Sequence, residues 1–162
     1  MEVLHNAHEA ETELGQTIEQ ALSAAEVRAV AEAGQPAHQA ARAAGRGVEV
    51  ASNNSTECVE AFLGLHGLEE YVTKIVGRPS AQPHLMKPNP FPLITAAEQM
   101  YIDVTSCTLI GHSLTDIQAD HATGATVIGY ANKPHKVDQF TEAQADVITE
   151  DMHAITEALT TA

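Results

Sequence analysis

The sequence of 162 residues contains no tryptophan, only two cysteines and few aromatic residues. It is also poor in basic residues: eight Lys and Arg stand against 22 Asp and Glu, and the formal net charge is -14. A charge of that sign repels nucleic acid and anionic membrane surfaces, so we expect neither as a partner. No aspartate precedes Asp103, which excludes aspartate chemistry from the first 102 residues.

The sequence also has few cysteines and no stretch typical of a signal peptide or a membrane span. Cys58 and Cys107 lack the paired spacing of a zinc site or a disulfide framework, so we expect both to be reduced, buried thiols. The first residues show neither a basic start nor an apolar run, and no later stretch is long enough to span a bilayer. A cytoplasmic location is therefore expected.

The chain divides into two regions by composition. Residues 1–36 are rich in Ala, Glu and Gln, with Leu14, Ile18 and Leu22 at helical spacing, and they predict a helical segment. That segment is either a cap over an active site or an ordinary amphipathic hairpin packed on the core. Residues 37–162 are expected to form the main domain.

In the main domain, short apolar runs alternate with helical stretches, a pattern typical of strand and crossover-helix units in a parallel sheet. The predicted strands are Val48–Ala51, Val72–Val76, Cys107–Ile110, Thr126–Tyr130 and Asp146–Ile148. The predicted helices are Ala37–Ala44, Thr56–Leu65, Pro90–Tyr101, Thr115–Thr123, Val137–Ala143 and Met152–Leu159. The fold class is therefore α/β.

Polar loops follow four of the predicted strands. They are Ser52-Asn53, Arg78–Lys87, Gly111–Asp116 and Asn132–Lys136. Because parallel strands place their carboxyl ends on one edge, where open sheets bind ligands, these loops should form one rim.

The first two loops predict an anion site. A hydroxyl such as that of Ser52, together with backbone N–H groups and a helix N-terminus, can hold an anion, although Ser52-Asn53 is also a good turn or helix cap. Lys87 lies in a proline-rich loop that reduces the entropy lost when its ammonium is held in place. We interpret Ser52, Asn53 and Lys87 as anion-binding candidates, and turn residues with a solvated lysine are the alternative.

The later loops add titratable groups. Taken alone, Asp116 is a helix N-terminal carboxylate favoured by the dipole. His112 carries an imidazole, a common general acid or base, and is a candidate for that role. Lys133 adds local positive charge that an acidic protein needs to attract an anion, unless its loop is only a solubilising turn.

Ser52-Asn53, Lys87-Pro88 and the segment Gly111–Asp116 (GHSLTD) resemble three of the four motifs of haloacid dehalogenase-like hydrolases, in particular phosphoglycolate-phosphatase-like members. The resemblance covers about Ala37 to Ala158. It implies a Rossmann-like three-layer parallel sheet and phosphatase activity on a small phosphate monoester. In that family an aspartate attacks phosphorus, a second aspartate protonates the leaving group, and Mg2+ assists hydrolysis of the aspartyl-phosphate.

The resemblance also implies roles for individual residues. Ser52 would hold a phosphoryl oxygen, Lys87 would neutralise charge on the transferring group, and Asp116 would bind the metal. The family has aspartate where His112 stands. Since imidazole is a poor Mg2+ ligand, the resemblance implies that magnesium binds weakly or not at all.

The fourth family motif, an Asp-x-Asp pair on an N-terminal strand, is absent from the sequence. The nucleophile is therefore unassigned, and we expect the chain to be inactive alone. In the family that strand lies between the strands that precede Ser52 and Gly111. Its absence predicts a gap or direct pairing of those two strands, and with it strand donation by a partner or a homodimer.

Three functional hypotheses remain open. The chain is a phosphatase-like hydrolase whose chemistry needs residues outside it, because it is a fragment or because a partner supplies them. Alternatively it is a non-hydrolytic protein that binds a small anionic ligand or another protein on the same scaffold. In the third hypothesis it is a non-covalent acid/base catalyst that uses His112, oriented by Asp116.

Overall fold

The computed structural model describes residues 37, 39–79 and 82–161. The helical segment predicted for residues 1–36 lies outside them. Residues 37 and 39–43 are helical, in agreement with the helix predicted there. Strands and helices then alternate, and the strands pair in parallel, which confirms the α/β class.

The observed elements match the predicted ones to within a few residues. The strands are β1 (Glu49–Ala51), β2 (Lys74–Val76), β3 (Thr108–Gly111), β4 (Thr126–Tyr130) and β5 (Val147–Thr149). The helices after β1 are α1 (Thr56–His66), α2 (Phe91–Gln99), α3 (Leu114–His121), α4 (His135–Glu142) and α5 (Met152–Thr161). Short 3-10 turns lie at Glu69–Tyr71, Pro83–Leu85 and Val104–Ser106.

The described strands form two separate parallel sheets. One pairs β1 with β2, with Val50 opposite Ile75, and the other has the order β3-β4-β5, with Ile110 opposite Ile128. Within the described residues β1 and β3 do not belong to one hydrogen-bonded sheet. Of the two outcomes expected for these strands, direct pairing is therefore not observed among the described residues.

Each sheet has its own apolar core. On the larger sheet, Ile117 and Phe140 from the helices pack with Val127 of β4, and each of the three is at most 1% exposed. On the smaller sheet, Val59 and Leu63 of α1 form a second buried cluster with Leu68. Burial of these side chains supplies the main driving force for folding each half.

Helix α1 shows how local sequence sets an element. Ser55 caps it, with its Oγ accepting a hydrogen bond from the Cys58 backbone N–H at 3.3 Å. The helix ends at Gly67, whose φ of 63° is a left-handed conformation that glycine adopts without strain. The buried stripe of this helix contains Val59 and Leu63.

One expectation about the cysteines is wrong. Cys58 is exposed, because it lies beside the buried stripe of α1 and not on it. Cys107, which immediately precedes β3, is partly buried. In the described part of the chain, no helix has the length and apolar character needed to cross a membrane.

Asp120 is a charged residue buried in the larger half of the molecule. It is 1% exposed, and its Oδ1 has no hydrogen-bond partner among the described residues. Burial, reinforced by the nearby carboxylate of Asp146, raises the pKa of Asp120 to about 6, although His121 acts in the opposite direction. The native protein therefore binds this proton more tightly than the unfolded chain does.

We expect Asp120 to make stability fall as the pH rises. Its contribution is largest in acid and is lost as the pH passes through about 6, so the free energy of unfolding should drop by about 1 kcal/mol between pH 5 and 7.5 from this group. Asp120→Asn should remove that part of the slope in urea unfolding, and the exposed Asp138→Asn should not. An unchanged slope in Asp120→Asn contradicts the assignment.

Candidate functional site

Lys87 joins the carboxyl ends of the two sheets. Its Nζ donates to the backbone oxygen of Ala51, the last residue of β1, at 3.0 Å and to Asp116 Oδ1, just beyond β3, at 2.5 Å. The two charged side chains are 12% and 3% exposed. The ion pair therefore lies largely out of water, at the rim where the polar loops were expected to meet.

Asn53 positions the backbone of Lys87. Its Oδ1 accepts from the Lys87 backbone N–H at 2.8 Å, and its Nδ2 donates to the Lys87 backbone oxygen at 3.1 Å. The side-chain amide of Asn53 thus fixes the loop of Lys87 to the end of β1 through both its oxygen and its nitrogen. This contact explains why an asparagine at position 53 serves the site without touching the ammonium itself.

Ser52 continues the smaller sheet into the rim. Its backbone N–H donates to the Val76 oxygen at 2.9 Å, and its Oγ accepts from the Asn54 backbone N–H at 3.1 Å. The hydroxyl therefore stabilises the turn that leads into α1, as the turn interpretation of Ser52 predicted. Because a hydroxyl also donates, the same atom retains an O–H group for a ligand.

Asp116 is held by donors on both carboxylate oxygens. Oδ1 accepts from Lys87, and Oδ2 accepts from the backbone N–H groups of His112 and Ser113, each at 3.0 Å, and from Ser113 Oγ at 2.8 Å. Ser113 in turn caps α3 by accepting from the Asp116 N–H. Asp116 is thus part of a capping box as well as of the ion pair.

Gly111 lets the chain approach this carboxylate. A Cβ at position 111 would lie 2.4 Å from the Asp116 Cβ, closer than real side chains come. The glycine at the end of β3 is therefore required by the close approach of Asp116 to the strand.

The charge state of Asp116 follows from this environment. Burial alone would raise its pKa, but the Lys87 ammonium and the hydrogen bonds from Lys87 and Ser113 hold the pKa below its usual range. Asp116 is therefore ionised at neutral pH. It balances the lysine and is poorly suited to give or take a proton.

The remaining predicted site residues lie at different distances from this centre. His112 Nδ1 is 3.6 Å from Asp116 Oδ2, so the histidine lies beside the ion pair. The side chain of Lys133 is exposed, whereas Lys136 Nζ, one turn later, donates to the His112 backbone oxygen at 2.6 Å. Of the two lysines, Lys136 therefore reaches the rim and Lys133 does not. The difference arises because α4 begins at His135, so that Lys136 lies in the helix and Lys133 precedes it.

The described residues do not fit a magnesium ion. Both oxygens of Asp116 are already occupied by donors, and its neighbour His112 offers nitrogen where Mg2+ prefers oxygen. Across residues 37, 39–79 and 82–161, no group of three His, Cys, Asp or Glu side chains lies together as a metal site. We therefore derive no chemical step through a metal.

The comparisons with known proteins point to one family. The sequence profile of haloacid dehalogenase-like hydrolases matches residues 7–130. A phosphoglycolate phosphatase of Xylella fastidiosa is 37% identical over 71 residues, which are 43% of this chain and 31% of that protein. A phosphoglycolate phosphatase of Escherichia coli O157:H7 is 28% identical over 120 residues, covering 74% of this chain and 47% of that one.

Solved structures agree with this likeness. A haloacid dehalogenase family hydrolase from Deinococcus radiodurans, determined with bound phosphate and sodium, matches with a TM-score of 0.65 at 27% identity. The match covers 77% of this chain and 56% of that one. This chain thus spans about a third to a half of the length of the two phosphatases and a little over half of the solved hydrolase.

Replacement of Lys87 should leave the buried carboxylate of Asp116 without its counter-charge and so destabilise the fold. We expect Lys87→Met to lower the free energy of unfolding by about 3 kcal/mol at neutral pH, since Asp116 then stays buried without its counter-charge. Lys133→Met removes an exposed lysine from the loop after β4 and should change stability by less than about 0.5 kcal/mol. Urea unfolding measures both.

The pH dependence separates this effect from a simple loss of packing. The stabilisation of Asp116 by Lys87 is present above the unfolded-state pKa and is lost as the pH falls through the lowered folded-state pKa. The difference between the wild-type chain and Lys87→Met should therefore shrink in acid. A difference that is the same at neutral and acidic pH contradicts the ion-pair explanation.

The residue at position 112 lies beside Asp116, so a carboxylate placed there would face the Asp116 carboxylate. We expect His112→Asp to increase Mg2+ affinity on the order of tenfold, because it adds a charged oxygen ligand beside Asp116 Oδ2. Calorimetric titration with MgCl2 measures it, with His112→Asn as the uncharged control. Equal affinities in the wild-type chain and both variants rule out a metal role for this position.

Proposed function

Because the chain belongs to the haloacid dehalogenase-like hydrolases, we propose that its rim binds the phosphate group of a small phosphate monoester. The contacts of Lys87 carry this proposal. Among the described residues, Ala51 and Asp116 accept from two of the three N–H donors of its ammonium, which leaves the third for an anionic oxygen. The Ser52 hydroxyl, one residue beyond Ala51, supplies a second donor at the same edge.

Positioning supports this role for the lysine. The ammonium is fixed from the side chain by two acceptors and from the backbone by Asn53, so little conformational freedom is lost when a ligand binds. Lys136, held at the His112 oxygen, adds positive charge to the same edge. A local positive field of this kind attracts an anion despite the net charge of -14.

Hydrolysis needs a nucleophile, and the described residues of this rim do not present one. Asp116 is the carboxylate of the rim, and its two oxygens accept four hydrogen bonds from Lys87, His112 and Ser113. We therefore propose that the described residues form the binding and charge-balancing part of a phosphatase. The attacking carboxylate would come from an added strand, supplied by the same polypeptide or by a partner.

The substrate class follows the relatives. Two similar proteins are phosphoglycolate phosphatases, and a solved relative holds phosphate. A small phosphate monoester is the substrate class that we propose here. A protein that binds such an anion without hydrolysing it is the second candidate, and it is favoured by the saturated hydrogen bonding of Asp116.

Binding can be tested on the chain alone. We expect inorganic phosphate to bind in calorimetry and Lys87→Met to weaken it on the order of tenfold or more, because a charge-assisted hydrogen bond is lost. Lys133→Met is the matched control and should have a small effect. Equal binding by the wild-type chain and Lys87→Met overturns the proposed site.

Turnover tests the second step. A version extended by an Asp-x-Asp strand should hydrolyse phosphate monoesters with Mg2+, and the unextended chain should not. An extended version in which the first added aspartate is asparagine controls for the nucleophile. If the extended version binds phosphate and is folded but does not turn over, the non-hydrolytic candidate is favoured.

A further inference from the structure

Helix α4 brings a second ammonium group to the rim. Lys136 lies in the first turn of this helix, its side chain is half-buried, and its Nζ donates to the backbone oxygen of His112 at 2.6 Å. His112 is the first residue after β3, and its backbone N–H donates to Asp116 Oδ2 at 3.0 Å. The short segment after β3 is thus in contact with Lys136 and, through Asp116, with Lys87.

The position of Lys136 is unfavourable for the helix itself. The N-terminal end of a helix carries partial positive charge, so a cation in the first turn is repelled, although Asp138 in the same turn offsets part of this repulsion. Helix stability therefore does not account for a lysine at this place. The contact with the His112 oxygen does, because it fixes the ammonium at the carboxyl edge of β3.

The charges that these contacts bring together have a positive sum. Lys87 and Lys136 are cations, Asp116 is the carboxylate that accepts from Lys87, and the imidazole of His112 carries no negative charge. Among these four described side chains, two ammonium groups and one carboxylate leave one net positive charge, which attracts an anion. A carboxylate at position 112 would cancel that charge, and a divalent cation would then be needed before an anion could approach.

We propose that Lys136 supplies the positive charge that a metal ion would otherwise supply at this rim, so that phosphate binds here without a divalent cation. This inference rests on the proposed function, since the anion is the phosphate group that binds at Lys87. The two lysines then have different tasks. Lys87 balances the buried carboxylate of Asp116 and donates to the ligand, and Lys136 adds the charge that attracts the ligand.

The first measurement is calorimetric titration of the chain with sodium phosphate, once in EDTA and once in MgCl2. We expect dissociation constants that agree within about twofold, because both oxygens of Asp116 already accept hydrogen bonds and leave no site for Mg2+. Tightening of wild-type binding by Mg2+ on the order of tenfold overturns the inference.

A change at position 112 should restore the need for a metal. In EDTA, His112→Asp should bind phosphate on the order of tenfold more weakly than the wild-type chain, because the added carboxylate repels the anion. MgCl2 should return most of that affinity, since a second charged oxygen ligand then lies beside Asp116. His112→Asn is the uncharged control and should respond to neither condition. If His112→Asp binds as the wild-type chain does in EDTA, charge at this edge does not govern the affinity.

Substitution of Lys136 separates its charge from its hydrogen bond. Lys136→Gln keeps an N–H donor for the His112 oxygen and removes the charge, so we expect phosphate affinity in EDTA to fall about fivefold. Lys136→Arg keeps the charge and should retain most of the affinity. Lys133→Met, which changes an exposed lysine just before α4, is the matched control and should leave the affinity unchanged. Urea unfolding of each variant checks that it is folded.

The outcomes distinguish this inference from the proposed function. If Lys136→Gln binds phosphate as the wild-type chain does, while Lys87→Met binds it weakly, the phosphate site remains and the role of Lys136 is refuted. If Lys136→Gln and Lys133→Met weaken binding equally, the affinity follows general charge and not one fixed ammonium, which also refutes it. If the folded wild-type chain binds no phosphate in EDTA or in MgCl2, the proposed site at Lys87 is refuted, and the inference with it.

Discussion

The ion pair between Lys87 and Asp116 joins the two halves of the described structure and sets the chemistry of the rim. Each sheet has its own apolar core, and within the described residues the sheets share no strand. Lys87 reaches the Ala51 oxygen on one side and Asp116 on the other. Because the pair is largely buried, its loss leaves a charge without water or partner, which makes the rim sensitive to either residue.

The same ion pair explains why the rim is better suited to binding an anion than to catalysing hydrolysis. Asp116 is ionised and saturated with donors, so it is a counter-ion for Lys87 and a cap for α3. Within the part of the chain that the structure describes, Lys87 keeps one N–H donor, whose direction is set by the two acceptors of the ammonium and by the amide of Asn53. A rim with a positioned ammonium and a carboxylate whose oxygens already accept hydrogen bonds favours anion binding. Chemistry at phosphorus then depends on a further group.

The helices and strands could be predicted from the sequence, whereas only some of the side-chain positions could. Short apolar runs and helical spacing located each strand from β1 onward because both periods depend on local residues. The polar loops met at one rim because parallel strands share an edge. By contrast, Lys133 and Lys136 differ only in their place relative to the start of α4, and Cys58 is one residue away from the buried stripe of α1. Such details depend on the orientation of a helix, which composition does not encode.

The buried acidic groups of the molecule differ in how their charge is compensated. At the carboxyl ends Asp116 is neutralised by Lys87, whereas at the amino ends Glu49 and Asp120 have buried oxygens without hydrogen-bond partners among the described residues. Natural cores seldom leave buried carboxylates in this state, because the cost exceeds that of an exposed charge. The rim therefore balances its buried carboxylate with a buried ammonium, whereas at the amino ends the apolar cores must offset the cost of the acidic groups.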